Sequence, residues 1–525
     1  MHPATSIGKE GSSIQHPASA AIASRFLPSP FAHLLRRRRA KAFQVPHFTF
    51  HVSRCGSILH LLSALFLFAL FPFRASAYSL LTHEEIVDLL WHDDIQPLLL
   101  KRFPSASRDD LLRAHAYSYG GCLIYDMGYM PFGNRFFTDL LHYVRTGDFV
   151  VNLIHESQNL NEYAFALGSL SHYAADIAGH PSVNRAVALS FPKLQARYGP
   201  EVTYEECTKA HIRTEFGFDL VQVAKHRYTS DQYHDFIGFA VSKPLLERTF
   251  FQTYGLTLRS VLENEELAIG TLRRAVSKVI PEITRAAIEW KKPDIAQLHE
   301  TPNAEHRLFR YYLSRAEYQR EWGREYRHPT IPHRILTFCL RCIPKIGPFG
   351  ALAFNIPNTQ TEDLYLKSIN KTVENYRGLL LEVGRGNLRA PNHDLDTGMR
   401  TSPGEYRLCD KTFAQLVHEL YLQTTSPEHR AHHRARPPHH IFAEDGSSTS
   451  PLASPKNADS SWRASYRLPP PARSHPQFQI ESDIRSAILA YYSSGAVPVR
   501  TCSERRRWRQ TQFELGLLKA SQPLL

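Results

Sequence analysis

The chain has 525 residues and a formal net charge of +12, with 43% hydrophobic and 11% aromatic residues. That length accommodates two or three domains at about 100–200 residues each, and the apolar content excludes a wholly disordered chain. The charge is unevenly placed: residues 1–77 hold nine Lys/Arg against one acid, Glu10, so the remainder carries only +4. The excess of base is therefore a weak argument for a nucleic-acid or membrane partner.

Residues 1–53 read as a disordered leader or an over-extended start. Residues 54–77 read as a signal peptide. Arg54 precedes the apolar run Ile58–Phe73, and Ala75-Ser76-Ala77 supplies a small-residue exit. The run is shorter than the ~20 residues a membrane span needs. Cleavage after Ala77 predicts a secreted or periplasmic protein, possible membrane association included; the alternative is an uncleaved anchor. Six cysteines then remain (Cys122, Cys207, Cys339, Cys342, Cys409 and Cys502). An even count in an exported chain permits disulfides without fixing a pairing.

Helical periodicity dominates from Thr82 onward. Thr82 is placed to cap a helix that has Glu84 and Glu85 in its first turn and Ile86, Leu89 and Leu90 at helical spacing. Leu160–Ala188 reads as a long helical region with a break at Pro181, and Leu258–Trp290 as another long pattern. Strand-like alternation and hairpin signals are scarce, so the predicted class is all-α. Residues 331–425 read as a helical extension, in which the apolar stretch Ile335–Ile356, interrupted by Pro344, Gly347, Pro348 and Gly350, reads as a buried connector, the alternative being a surface loop that touches membrane. Residues 426–477, rich in Pro, Ser, His and Arg, read as a disordered linker. Residues 478–525 close the chain with helices over Ile480–Ser493 and Arg505–Lys519.

Five pieces between Tyr78 and Asp219 carry chemistry: Leu81-Thr82-His83, Tyr125-Asp126, Leu141-His142-Tyr143, His172-x-x-x-Asp176-x-x-x-His180 and His211-x-x-x-Glu215. Residues four apart share one helix face, so the last two pieces are stripes of imidazole and carboxylate. Such stripes suit zinc, which binds both donor types at ~2.0–2.2 Å. No suitably spaced cysteine accompanies them, which favours a catalytic site over a structural one. A single His-x-x-x-Asp pair is more often an ordinary ion pair. The order of five pieces is what gives the pattern weight.

That order resembles the zinc-dependent phospholipase C family. It is also similar to the related fungal single-strand-specific nucleases and to the catalytic domain of glycosylphosphatidylinositol-specific phospholipase D. The most specific segment is AFALGSLSHYAADIAGH, Ala164–His180. The resemblance runs from Tyr78 to Asp219 and extends to Trp290. It implies a multi-helix zinc-dependent phospholipase C or nuclease-like catalytic domain over 78–330, with two to three zinc ions. Carried over by motif, Asp126, His142, His172 and Asp176 hold one ion, and His180, His211 and Glu215 another. His83, Asp176 and the new N-terminus at Tyr78 hold a third. Asp126 is also the implied catalytic residue that orients or deprotonates water. Two departures stand out: the gap between Asp176 and His180 is shorter than in the bacterial phospholipases and fungal nucleases, and Tyr78 replaces the usual tryptophan. The implied function is an exported zinc-dependent phosphoric diester hydrolase of phospholipase C type. Its partners are a phospholipid or other phosphodiester, with peripheral membrane contact. The alternatives are a nuclease on single-stranded nucleic acid, for which Tyr117, Tyr119, Tyr125 and Tyr129 are the candidate stacking platforms, or an inactive zinc-binding exported protein.

Overall fold

A computed structural model describes residues 80–225, 228, 238–295, 354–424, 482–494 and 502–520. The expected leader, the signal peptide, Tyr78, the linker 426–477 and most of the connector Ile335–Ile356 lie outside the described residues. The described chain is helical, with one isolated bridge between His393 and Arg400 and no strand among the described residues.

In chain order the helices are α1 (Leu80–Leu90), α2 (Gln96–Arg102), α3 (Arg108–Leu123), α4 (Arg135–Tyr143), α5 (Thr146–Glu156), α6 (Leu160–Ser190), α7 (Pro192–Tyr198) and α8 (Tyr204–Ala224). There follow α9 (Lys243–Tyr254), α10 (Leu258–Val261), α11 (Glu265–Arg274), α12 (Ile280–Ile295), α13 (Thr359–Arg385), α14 (Arg407–Thr424), α15 (Ser482–Tyr491) and α16 (Cys502–Ala520). A 3₁₀ turn, Ile124–Tyr129, follows α3. Local chemistry sets several starts. Ser107 and Asp110 form a capping box on α3, Thr203 and Glu206 another on α8, and Asn159 accepts from the Glu162 N–H to open α6.

Helix α6 is the axis of the fold. It is buried on nearly every side from Glu162 to Ala188, with α1, α3, α5, α8 and α13 packed around it. A helix covered all round needs no solvent-facing polar stripe, and the sequence AFALGSLSHYAA matches that condition. The α3–α6 crossing is unusually close because glycines lie on both sides. A Cβ on Gly121 would stand 1.9 Å from the Phe165 carbonyl oxygen, and one on Gly168 would stand 1.9 Å from that of Ser118. On another flank of α6, the Tyr376 hydroxyl of α13 donates to the Leu167 carbonyl at 2.8 Å.

Three local expectations are corrected. Thr82 does not cap α1 but lies inside it, buried, and its hydroxyl donates to Asp219 on α8 at 2.5 Å. A carboxylate from another helix thus sits at the start of α1, also accepting from the Leu81 N–H at 3.1 Å, and answers the positive end of that helix. Pro181 does not break α6, which runs through it to Ser190. Leu258–Trp290 is not continuous: Leu262–Asn264 interrupts it, and Asn264 caps α11. The closing helices are present as α15 and α16. Cys122, Cys207 and Cys409 are free thiols.

The glycine crossing yields a prediction. Gly168→Ala forces a methyl against backbone that cannot swing away, and overpacking of this kind costs ~1–3 kcal/mol. Thermal melting should show a lowered Tm; an unchanged Tm would mean that the two helices separate without cost.

Candidate metal centre

The five pieces converge. His83 lies on α1, Asp126 on the 3₁₀ turn and His142 in the last turn of α4. His172, Asp176 and His180 lie on α6, and His211 and Glu215 on α8. All of these side chains are buried, and none exceeds 2% exposure. Three groups bring ligand-type atoms within 4.8 Å of one another: His83, His172 and Asp176; Asp126, His142 and His172; and His180, His211 and Glu215. Asp176 is central. Its carboxylate lies 3.0 Å from His172 Nε2, 3.6 Å from His142 Nε2 and 3.5 Å from His83 Nε2. The single stripe expected on α6 is thus divided, with His172 and Asp176 serving one side and His180 the other. Tyr78 lies outside the described residues, so its position relative to His83 is not part of this geometry.

The imidazoles are oriented from behind. His172 Nδ1 lies 2.7 Å from the Cys122 carbonyl of α3, a contact that the glycine crossing brings into reach. His142 Nδ1 lies 2.9 Å from the Thr138 carbonyl one turn earlier. A carbonyl only accepts, so Nδ1 carries the proton in both rings and Nε2 presents its lone pair to the cluster. The His172 ring is also clamped between His83 and Tyr125, stacked at 4.2 and 4.1 Å between centroids. Tyr125 is fully buried and packs; so is Tyr119, whose hydroxyl donates to Asp88.

Burial governs the charge states. It pushes His142 down to about 4, with the neighbouring His172 adding to the effect, and pushes His211 down to about 3, with His180 adding to it. Burial, reinforced by His172, also holds His83 well below the ordinary imidazole range. His172 is the exception: burial lowers it, but the Asp176 carboxylate outweighs that and raises it. Burial drives Glu215 well above the ordinary carboxylate range, and Asp176 adds to the effect. Asp176 itself is held low, because the surrounding imidazoles overcome its burial. The polar atoms are poorly served by the protein alone. His172 Nε2, both Asp176 oxygens, both nitrogens of His211 and both Glu215 oxygens are sealed from solvent without a satisfying hydrogen bond. Such groups are costly to bury unless a cation completes them, and nitrogen and carboxylate donors in these numbers fit zinc.

A zinc-dependent phospholipase C family model matches residues 82–264. That match supports the expected family over this span. The span contains His83 and every other expected ligand except Tyr78. No curated protein and no solved structure matches the chain.

Two residues of the site's surroundings escape sequence reasoning. Asp219 holds the start of α1; its position four after Glu215 on the same face was the available signal. Asp396 comes from the loop between α13 and α14, beyond the matched span, and lies 3.2 Å from His180 Nδ1. It is buried and held below its ordinary value, because contacts with His180 and Tyr406 overcome the upward push of burial. The only local signal for it was the run HDLDTG, 393–398.

The lowered His142 value has a measurable sign. An unfolded histidine takes up its proton near 6.5, and the folded one only near 4. Between these values the unfolded state binds more protons, so this group's contribution to stability falls as pH falls from about 6.5 to about 4. In chelator-treated protein, the drop in Tm across that window should be shallower in His142→Gln than in the wild type. Parallel curves would contradict the assignment.

Proposed function

We propose that this protein is a zinc-dependent phosphodiesterase of phospholipase C type acting on a phospholipid. The observation that carries the reading is the set of three buried imidazole–carboxylate groups inside a zinc-dependent phospholipase C domain. In this reading two to three zinc ions are held. Asp126, His142, His172 and Asp176 form one ligand set, and His180, His211 and Glu215 a second. His83 and the shared Asp176 form a third, which the amine and carbonyl of Tyr78 complete after export cleavage.

Zinc, when bound, supplies Lewis acidity that lowers the pKa of water from 15.7 towards ~7 and neutralises phosphate oxygens. The chain's own residues do the positioning. Asp126, whose Oδ1 lies 3.9 Å from His142 Nε2, orients the attacking water and accepts its proton. The water oxygen bonds to phosphorus, the phosphorus–oxygen bond on the glycerol side breaks, and a proton passes to the departing oxygen. Asp176 keeps its negative charge at all working pH values because the imidazoles around it hold it low. The stacking of His172 between His83 and Tyr125 restricts its ring, so little reorganisation accompanies the reaction.

Tyr119, Tyr125 and Tyr129 are buried and offer no accessible ring face for base stacking, which weakens the nucleic-acid alternative; Tyr117 is half-buried. Among the described residues no helix is long and apolar enough to cross a membrane, and contact with lipid is proposed as peripheral.

The test joins metal analysis to hydrolysis. Protein purified without chelator should contain two to three zinc ions per chain and cleave phosphatidylcholine; only trace zinc would end the proposal, and cleavage of single-stranded DNA instead would redirect it to the nuclease reading. His172→Ala and Asp176→Asn should each lower turnover by more than ~100-fold, the upper range for losing a mere outer-shell partner. Near-normal turnover at full zinc occupancy in either variant would remove that residue from the centre.

A further inference from the structure

The loop between α13 and α14 is fastened onto the metal centre by an elaborate set of contacts. The Tyr173 hydroxyl of α6 donates to the Pro391 carbonyl at 2.6 Å. Thr146 on α5 donates to the His393 carbonyl at 2.8 Å and accepts from its N–H at 3.0 Å. The Leu395 N–H donates to the carbonyl of His142 at 3.0 Å, and Asn184 on α6 donates to the Asp396 carbonyl at 3.0 Å. Pro181 has no N–H to give to the Ile177 carbonyl one turn back. Gly398, at a φ of +70°, packs against that carbonyl so closely that a Cβ would stand 2.6 Å from it.

These contacts deliver one carboxylate to one ring. Asp396 Oδ2 accepts from the Tyr143 hydroxyl at 2.8 Å and from the Tyr406 hydroxyl at 2.7 Å, while Oδ1 faces His180 Nδ1 at 3.2 Å. The two atoms are at ion-pair distance with no hydrogen bond closed between them. His142 and His172 each direct Nδ1 to a backbone carbonyl of the matched domain. His180 directs Nδ1 to a carboxylate from outside it. Asp396 is not in the group formed by His180, His211 and Glu215, which points to a supporting position rather than to ligation.

We propose that Asp396 is the positioning residue of His180: Oδ1 accepts a hydrogen bond from the Nδ1–H, fixing the tautomer and aiming Nε2 at the centre shared with His211 and Glu215. The span 82–264 therefore draws on this loop to orient one member of its second ligand set. The inference rests on the zinc reading above and adds a residue that lies beyond the family match.

The test uses the full chain with Asp396→Asn, which keeps shape and both tyrosine contacts but can turn an amide N–H toward His180 Nδ1. That favours the opposite tautomer and places a proton on Nε2. Competition with a chelator should show one zinc equivalent weakened by ~10–100-fold and the others unchanged. In zinc-loaded protein carrying ¹⁵N-labelled histidine, a protected Nδ1–H signal present in the wild type should be lost in the variant. Wild-type protein without zinc would overturn both this assignment and the functional reading. Zinc in the wild type, with equal affinities in the variant, would overturn this assignment alone. One equivalent weakened without any protected Nδ1–H in the wild type would overturn positioning in favour of direct ligation. If Asp396→Asn loses its cooperative melt in chelator, Tyr406→Phe replaces it. That variant removes one donor to Oδ2 and should shift the same Nδ1–H signal and weaken the same equivalent to a smaller degree; no change in either would also overturn the proposal.

Discussion

Taking ionisable groups out of water is the cost around which this fold is arranged. His83, His142, His172, Asp176, His180, His211 and Glu215 are all essentially inaccessible to solvent, and an isolated buried charge costs far more than most single contacts return. The protein meets this by keeping most of the imidazoles neutral, by surrounding one low carboxylate, Asp176, with several rings, and by leaving the remaining valence for a cation. Such an arrangement needs a scaffold that does not relax. Helix α6, enclosed by neighbours on nearly every side, supplies one, and the glycine contacts with α3 place a backbone carbonyl close enough to fix His172.

The second half of the chain is not an appendage to that scaffold. Helix α13 lies along α6, and its Tyr365 hydroxyl meets the Thr82 hydroxyl at 2.6 Å, while Tyr376 ties into the carbonyl of Leu167. The loop after α13 reaches His142, Asn184 and His180. Thr82 is thus the neighbour in sequence of one site histidine, His83, and the neighbour in space of a helix more than 250 residues later. Segments beyond the family match pack directly onto the helices and side chains of the centre.

What the sequence made legible was what local period encodes. The four-residue spacing of His172, Asp176 and His180, and that of His211 and Glu215, fixes which side chains share a helix face. The order of the five pieces, through the family resemblance, implies that the two stripes belong to neighbouring ligand sets. What stayed hidden was tertiary. Pro181 reads as a helix break because it lacks an N–H, but packing against Gly398 and the enclosing helices outweighs the single missing hydrogen bond. Thr82 reads as a cap because threonine favours that position; the cap is Asp219 from another helix. Asp396 sits in a polar loop with no period at all, and only the folding of a distant segment onto α6 brings it to His180.

Cys122 makes the same architecture observable from outside. Its carbonyl fixes His172, its thiol donates to the Tyr119 carbonyl at 3.3 Å, and burial pushes that thiol well above its usual range. Only an exposed thiolate attacks a thiol reagent, so the folded crossing of α3 and α6 protects it. Any fluctuation that opens the crossing frees the sulfur and releases the ring in one event. The rate at which Cys122 is labelled is therefore a clock for how often the centre comes apart, read without metal, substrate or turnover.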